Sequence, residues 1–230
     1  MRSGQRSTTS SENLSLNPRS ITSEATLPVL AWTNAALHAA GLAVAWFSLW
    51  PGSTVVPLAE RMAYLAGRPA VWSWGWGIWM LCALALVAYM AALRRALPGD
   101  PFAAQLALVV AATGMAVDLL CDVTQIQILP LAASAGPARP DVFLAFERLA
   151  STGGLTVANG LYTIAVLLMN LSLRGVAGTP ARFIGWVSVV SGLALAAAGF
   201  ISSPFLLQTA TGLTIGSYCL WTVLVARDLR

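Results

Sequence analysis

Three polar residues sit inside one apolar stretch of this chain: Asp118, Asp122 and Gln125, four and three positions apart. On an α-helix that spacing places all three on one face. A carboxyl group inside a membrane span costs about 2.5 to 3.5 kcal/mol on insertion scales, so each asks for a partner, a polar space or a ligand. The next apolar stretch opens with Glu147 and Arg148 and carries Asn159 and Tyr162 further along. Consecutive antiparallel helices would let these groups meet.

Two chemistries follow from that meeting. In the first, Arg148 pairs with Asp122 or Glu147 as a clasp at the membrane edge and Asp118 bonds to Asn159, so that the polar groups only join helices. Interhelical polar contacts in membranes average about 0.6 kcal/mol, less than the cost of inserting Asp118. In the second, the carboxylates form the acidic wall of an outward-facing cavity, which with Trp72, Trp76 and Trp79 nearby holds a cationic or polar ligand or passes protons. His38 lies about 15 Å into the first apolar stretch, with Asn34 one turn earlier on the same face. It suits a neutral imidazole bonded to Asn34 or a carbonyl, a proton relay to Asp118, or a cofactor ligand within a larger complex.

Other chemistries are excluded by composition. All 13 basic residues are arginine, so a retinal or pyridoxal Schiff base cannot form. A single histidine cannot supply a two-histidine haem site or a three-histidine zinc site. Cys82, Cys121 and Cys219 are odd in number and far apart, which suits reduced packing residues. No phosphate-binding loop, metal cluster, nucleophile elbow or long basic patch is present, so neither a cofactor, a metal nor nucleic acid is expected as a partner.

The elements that must position these groups are membrane helices. Hydrophobic residues make up 57% of the 230 positions and charged residues 10%, against about 25% charged in a soluble globular chain. Apolar blocks of about 20 residues, the length that crosses a hydrocarbon layer of about 30 Å, recur at 27–50, 71–93, 102–121, 149–173, 183–202 and 205–226. The fold class expected is an all-α, polytopic six-transmembrane-helix bundle of antiparallel hairpins. Residues 1–26, rich in Ser, Thr, Asn and Arg, read as a disordered tail. Asp100-Pro101, Thr179-Pro180 and Ser203-Pro204 read as helix starts, as does Asp141 before span four. Residues 51–70, with Leu58, Met62 and Leu65 at helical spacing beside Glu60 and Arg61, read as a helix lying on the membrane surface. Residues 128–140 read as a loop.

Orientation follows from arginine. Cytoplasmic termini place Arg2, Arg6, Arg19, Arg94, Arg95, Arg174, Arg182, Arg227 and Arg230 inside and only Arg61, Arg68, Arg139 and Arg148 outside. Trp46, Trp50, Trp72, Trp74 and Trp76 then form an outer aromatic belt, and the sequons at Asn13 and Asn170 fall on the inner side. Arginine without lysine suits a GC-rich bacterial genome and hence the bacterial inner membrane.

Spans two, four and six share Gly-x-aromatic, as Gly77-Ile78-Trp79, Gly160-Leu161-Tyr162 and Gly216-Ser217-Tyr218, which suggests three hairpins of similar design. Ser188, Gly192 and Ala196, and Gly212 with Gly216, are small residues spaced for close helix contact, read as packing inside the bundle with a dimer seam as the alternative. From Pro180 through Arg182-Phe183-Ile184-Gly185-Trp186 to Arg230, the last two spans resemble those of bacterial six-span membrane families of unknown function. The resemblance implies the six-span fold and assigns no site residue.

The sequence thus predicts an inner-membrane protein with an outward-facing polar pocket, acting as a small transporter or ligand-sensing module. A non-catalytic structural or assembly subunit of a membrane complex is the alternative, and an intramembrane enzyme using its carboxylates is the third. The bilayer is the expected partner, with room for a second copy or a complex subunit.

Overall fold

The computed structural model describes residues 18–136, 139–201 and 203–229; these residues form helices and no strand. Six helical stretches are long and apolar enough to cross a membrane: Thr26–Gly52, Pro69–Ala96, Phe102–Ser134, Pro140–Ser172, Thr179–Ile201 and Phe205–Asp228. This is the all-α six-span bundle that the composition requires, the architecture of a multi-pass membrane protein.

In chain order the α-helices are α1 (Pro18–Val44), α2 (Leu58–Gly67), α3 (Pro69–Ala96), α4 (Phe102–Val123), α5 (Leu129–Ser134), α6 (Pro140–Ser151), α7 (Asn159–Ser172), α8 (Thr179–Ile201) and α9 (Pro204–Asp228). Helix α1 begins at Pro18, within the segment expected as a tail; residues 1–17 lie outside the described residues, as do the arginines at 2, 6 and 230. Three spans contain a widened π-helical stretch: Ala45–Leu49 at the end of span one, Thr124–Ile128 in span three and Thr152–Ala158 in span four.

The six spans form a closed ring. Helix α1 packs on α3, α3 on α4, α4 on α7, α7 on α8, α8 on α9, and α9 returns to α1. Short connections make chain neighbours into spatial neighbours, which gives this order. At the end of the ring nearest both termini, buried Tyr89, Met90, Leu93, Met169, Trp221 and Val225 fill the centre. Tyr89 meets Trp221 edge-on at 6.1 Å and donates to the Thr222 carbonyl at 3.2 Å. Close approach of α7 and α8 depends on glycine: a Cβ at Gly192 would overlap Thr163, and one at Gly185 would overlap Asn170 and Trp221. Gly212 and Gly216 differ from the expectation, being exposed with nothing within reach of an added Cβ.

Local helix starts are mixed. Ser203 Oγ accepts from Leu206 N at 3.4 Å and caps α9 as expected. Asp100 does not cap α4: at φ 45° its carboxylate turns back to Arg94 Nε and Nη2, both at 2.9 Å, and to Gln105 Nε2 at 2.8 Å. The Arg94 hydrogen bonds hold the Asp100 carboxyl below its usual range. Asp141 likewise pairs with Arg139 at 3.3 Å, and no side chain caps α6.

The far end of the ring departs most from expectation. Segment 128–140 is not simply a loop, because Leu129, Ala132 and Ala133 are buried in α5, against which α2 packs. Helix α2 is present, with Ala59, Glu60 and Ala63 exposed on one side and the other side packed against the bundle. Its Met62 and Leu65 join Leu49, Trp72, Leu129 and Phe143 in a second apolar cluster. Arg61 is buried with them; its Nη2 donates to Glu147 Oε2 at 2.7 Å, its Nη1 to the Val56 carbonyl at 3.0 Å, and its guanidinium lies 5.9 Å over the Phe143 ring. The clasp at this end is therefore Arg61 with Glu147. Arg148, one residue on and about 100° further round α6, is exposed and pairs with neither Glu147 nor Asp122. The tryptophans also divide: Trp46, Trp50 and Trp74 are exposed, whereas Trp72 is buried and Trp76 half-buried.

Removing one member of a buried ion pair leaves the other charge without compensation. Arg61→Ala should destabilise the protein by about 3 kcal/mol or more, read as a lower thermal unfolding midpoint in non-ionic detergent. The pair Arg61→Met with Glu147→Leu should recover most of that loss. Equal midpoints for Arg61→Ala and wild type would show that the ion pair does not hold the far end together.

Candidate functional site

A cavity of about 520 Å³ occupies the ring between the aromatic plug of Tyr89 and Trp221 and the cap of α2, α5 and α6. Its volume lies within the range of about 300 to 1,000 Å³ typical of ligand sites. The cavity exists because the spans do not close at this level: Trp46, Gln125 and Gly154, one from each widened stretch, line it.

Widening a helix weakens its backbone bonding, and inside a membrane any added donor to its carbonyls must come from the protein. Each widened stretch has one. Tyr64 Oη donates to the Ser48 carbonyl at 2.7 Å, Trp72 Nε1 to the Gln125 carbonyl at 2.7 Å, and Asn159 Nδ2 to the Gly154 carbonyl at 3.0 Å. Partial burial raises the Tyr64 phenol pKa and Arg68 works against that rise, so Tyr64 keeps its proton for this bond. Asn159 is thus committed to its own helix and does not bond Asp118, as one reading of the sequence had it.

Most of the polar residues singled out in the sequence converge here. Asp118, Asp122, Gln125, Asn159, Tyr162, His38 and Trp79 all line the cavity, as does Glu147 at its margin; Arg148 does not. Asp118 Oδ2 accepts from Tyr162 Oη at 3.1 Å. His38 Nδ1 lies 2.9 Å from the Asn34 carbonyl, its ring edge-on to Tyr218 at 5.3 Å and Trp79 at 6.4 Å. No hydrogen bond links His38 to Asp118. The three Gly-x-aromatic segments gain a meaning, since Trp79, Tyr162 and Tyr218 all point into the cavity.

Several lining groups have unmet hydrogen-bonding capacity. Asp122 is 1% exposed and its Oδ2 has no partner; Gln125 Oε1, Trp76 Nε1 and Thr214 Oγ1 are also buried without one. Such groups cost about 1 to 3 kcal/mol each when left unpaired. Among the described residues no arginine lines the cavity, and Arg61 is taken up by Glu147. Asp118 and Asp122 are therefore two carboxyls, one turn apart, with no arginine of this chain beside them. Such an arrangement can hold a cation or a hydrogen-bond donor, with the Trp76 and Trp79 rings alongside.

Gln208, Thr211 and Thr214 of α9 are further polar lining residues that the sequence reading passed over. Their three-residue spacing on one face of span six was the available signal. Cys82 and Cys121, both free, also line the cavity.

The carbonyl bonds are testable singly. Trp72→Phe keeps the ring but removes the donor to Gln125, and should lower stability by about 1 to 3 kcal/mol in thermal unfolding. Trp74→Phe, on the exposed face of the same helix, should change it by about 0.5 kcal/mol at most. Indistinguishable midpoints for the two variants would show that the Gln125 carbonyl does not need Trp72. No protein-family model matches the chain, and no match is found among curated proteins or among solved structures.

Proposed function

We propose that this chain is a ligand-binding protein of the bacterial inner membrane whose outward-facing cavity takes a small cationic or polar molecule, as a ligand-sensing module or small transporter. The observation that carries the reading is the unpartnered Asp122 carboxylate oxygen beside Gln125 and Trp76, in a cavity whose lining holds no arginine. Alternating access commonly uses broken helices in paired positions. Spans one, three and four are widened yet continuous, which favours sensing over transport.

The orientation belongs to this proposal. Arg94, Arg95, Arg174, Arg182 and Arg227 lie at the end of the ring near the termini and, by the positive-inside rule, mark it as cytoplasmic, which turns the cavity outward. With the native cysteines replaced by serine, a cysteine at Ala135 should react with an impermeant thiol reagent in intact cells, and one near residue 10 should not. The reverse pattern would turn the cavity towards the cytoplasm.

Binding is tested with tetraphenylphosphonium, an organic cation small enough for the cavity. It should raise the unfolding midpoint of the detergent-solubilised protein, and Asp122→Asn should abolish that rise. Asn keeps the shape of Asp122 while removing its negative charge, so the unliganded midpoint should stay close to that of wild type. A rise that persists in Asp122→Asn, or no rise in wild type, would count against a cation site at Asp122.

A further inference from the structure

The wall of the cavity is incomplete on one side. At the far end, Ala45–Leu49 packs along α3, and the widened stretch of span four packs on both α4 and α8. Helix α1 packs on α9 through Pro18–Val44, where His38 meets Tyr218 and Cys219 Sγ lies 3.6 Å from the Ala35 carbonyl, whereas the Ala45–Leu49 stretch packs mainly on α3. Beyond those α1–α9 contacts, Trp46 and Trp50 on one side and Gln208 and Gly212 on the other both line the cavity and are exposed. Thr54, in the connection before α2, also lines the cavity and is exposed, so the cavity opens at the end of the bundle, and at Trp46 and Gly212 the opening continues onto the flank of the ring. Gly212 lies about 10 Å along the axis from Phe205, and Trp46 about 9 Å before Gly52, so the opening extends down into the apolar part of the two spans.

The opening faces the acidic groups. In the ring the α9–α1 seam is opposite the α4–α7 seam, and the latter carries Asp118, Asp122 and Tyr162. Between them the walls include Leu42, Leu86, Leu129, Val166, Leu195 and Ile215. A molecule spanning the cavity thus meets lipid at one end, an apolar passage in the middle and two carboxyls at the other.

We propose that the α9–α1 seam is a lateral portal admitting a cationic amphiphile from the surrounding leaflet. Its head group reaches Asp122 and Asp118, and its alkyl chain lies past Trp46, Leu207 and Gly212 towards the lipid. This rests on the reading of the cavity as a cation site, and it names the ligand class and the route.

The test uses the full chain in lipid nanodiscs, with octyltrimethylammonium and tetramethylammonium as probes and empty nanodiscs subtracted. Octyltrimethylammonium should bind more than about tenfold more tightly than tetramethylammonium, because its chain is buried in the passage. Asp122→Asn should lose both. Gly212→Phe, where an added Cβ meets nothing, should slow association of the octyl probe about tenfold or more in stopped-flow tryptophan fluorescence, while Gly216→Phe should leave it unchanged. Gly216 is exposed on the same helix one turn further along but does not line the cavity. Gly212→Val replaces the phenylalanine variant if that does not assemble. Equal affinity for the two probes would remove the amphiphile while leaving a cation site at Asp122. An unchanged association rate in the Gly212 variant would remove the portal. Binding insensitive to Asp122, or absent for both probes, would overturn the cation site itself and the portal with it.

Discussion

Inside a bilayer a backbone carbonyl has no water to turn to, and that constraint organises the far half of this protein. A ring of six regular helices could satisfy its backbone internally and close on itself. Spans one, three and four instead widen at one level, and each widened stretch offers a carbonyl to a side-chain donor. The donors Tyr64, Trp72 and Asn159 come from different elements, so the cavity wall is tied to the cap and to the ring together. Trp72 can lie in that position only because α2 and α5 cover it, and that cover is itself fastened by Arg61 reaching Glu147. Cavity and cap thus depend on one another.

The polar groups in this half fall into two sets. Glu147, Tyr64, Asn159 and, apart from its Nε, Arg61 have partners within the chain. Asp122 Oδ2, Gln125 Oε1 and Trp76 Nε1 have none, although they share the same low-dielectric surroundings. Buried polar atoms without a partner occur outside the cavity too, at Asn34, Thr156, Asn170 and Trp221, but among the described residues the unpaired carboxylate oxygen is that of Asp122, beside an open volume. That oxygen is the ground on which the cavity is proposed as a binding site.

Much of this was legible in the sequence. Block length fixed the six spans, and the spacing of Asp118, Asp122 and Gln125 gave one face that does line the cavity. Asp122 itself lies deeper in the protein than a position at the membrane edge would suggest, because the chain continues as helix through Thr124–Ile128 into α5. The widened stretches left no mark, since a nearly uniform apolar window has no polar stripe against which a slipped turn could be noticed. Arg61 read as a surface charge because α2 is amphipathic and its partner lies 86 positions away. In the sequence Trp72 and Trp76 are open to two readings, as part of an interfacial belt and as neighbours of the carboxylates, and the fold buries Trp72, half-buries Trp76 and leaves Trp74 exposed.

Because chain order is ring order, five of the six helix–helix seams are spanned by a covalent connection and one is not. The unbridged seam lies between the first helix and the last. During synthesis the earlier spans can assemble hairpin by hairpin into an open trough with its carboxyls exposed along the inner curve, and α9 then completes the circle. In the finished protein the same seam is the one place where two neighbouring helices can tilt apart without stretching a loop, so the ring has a built-in hinge line running down its side.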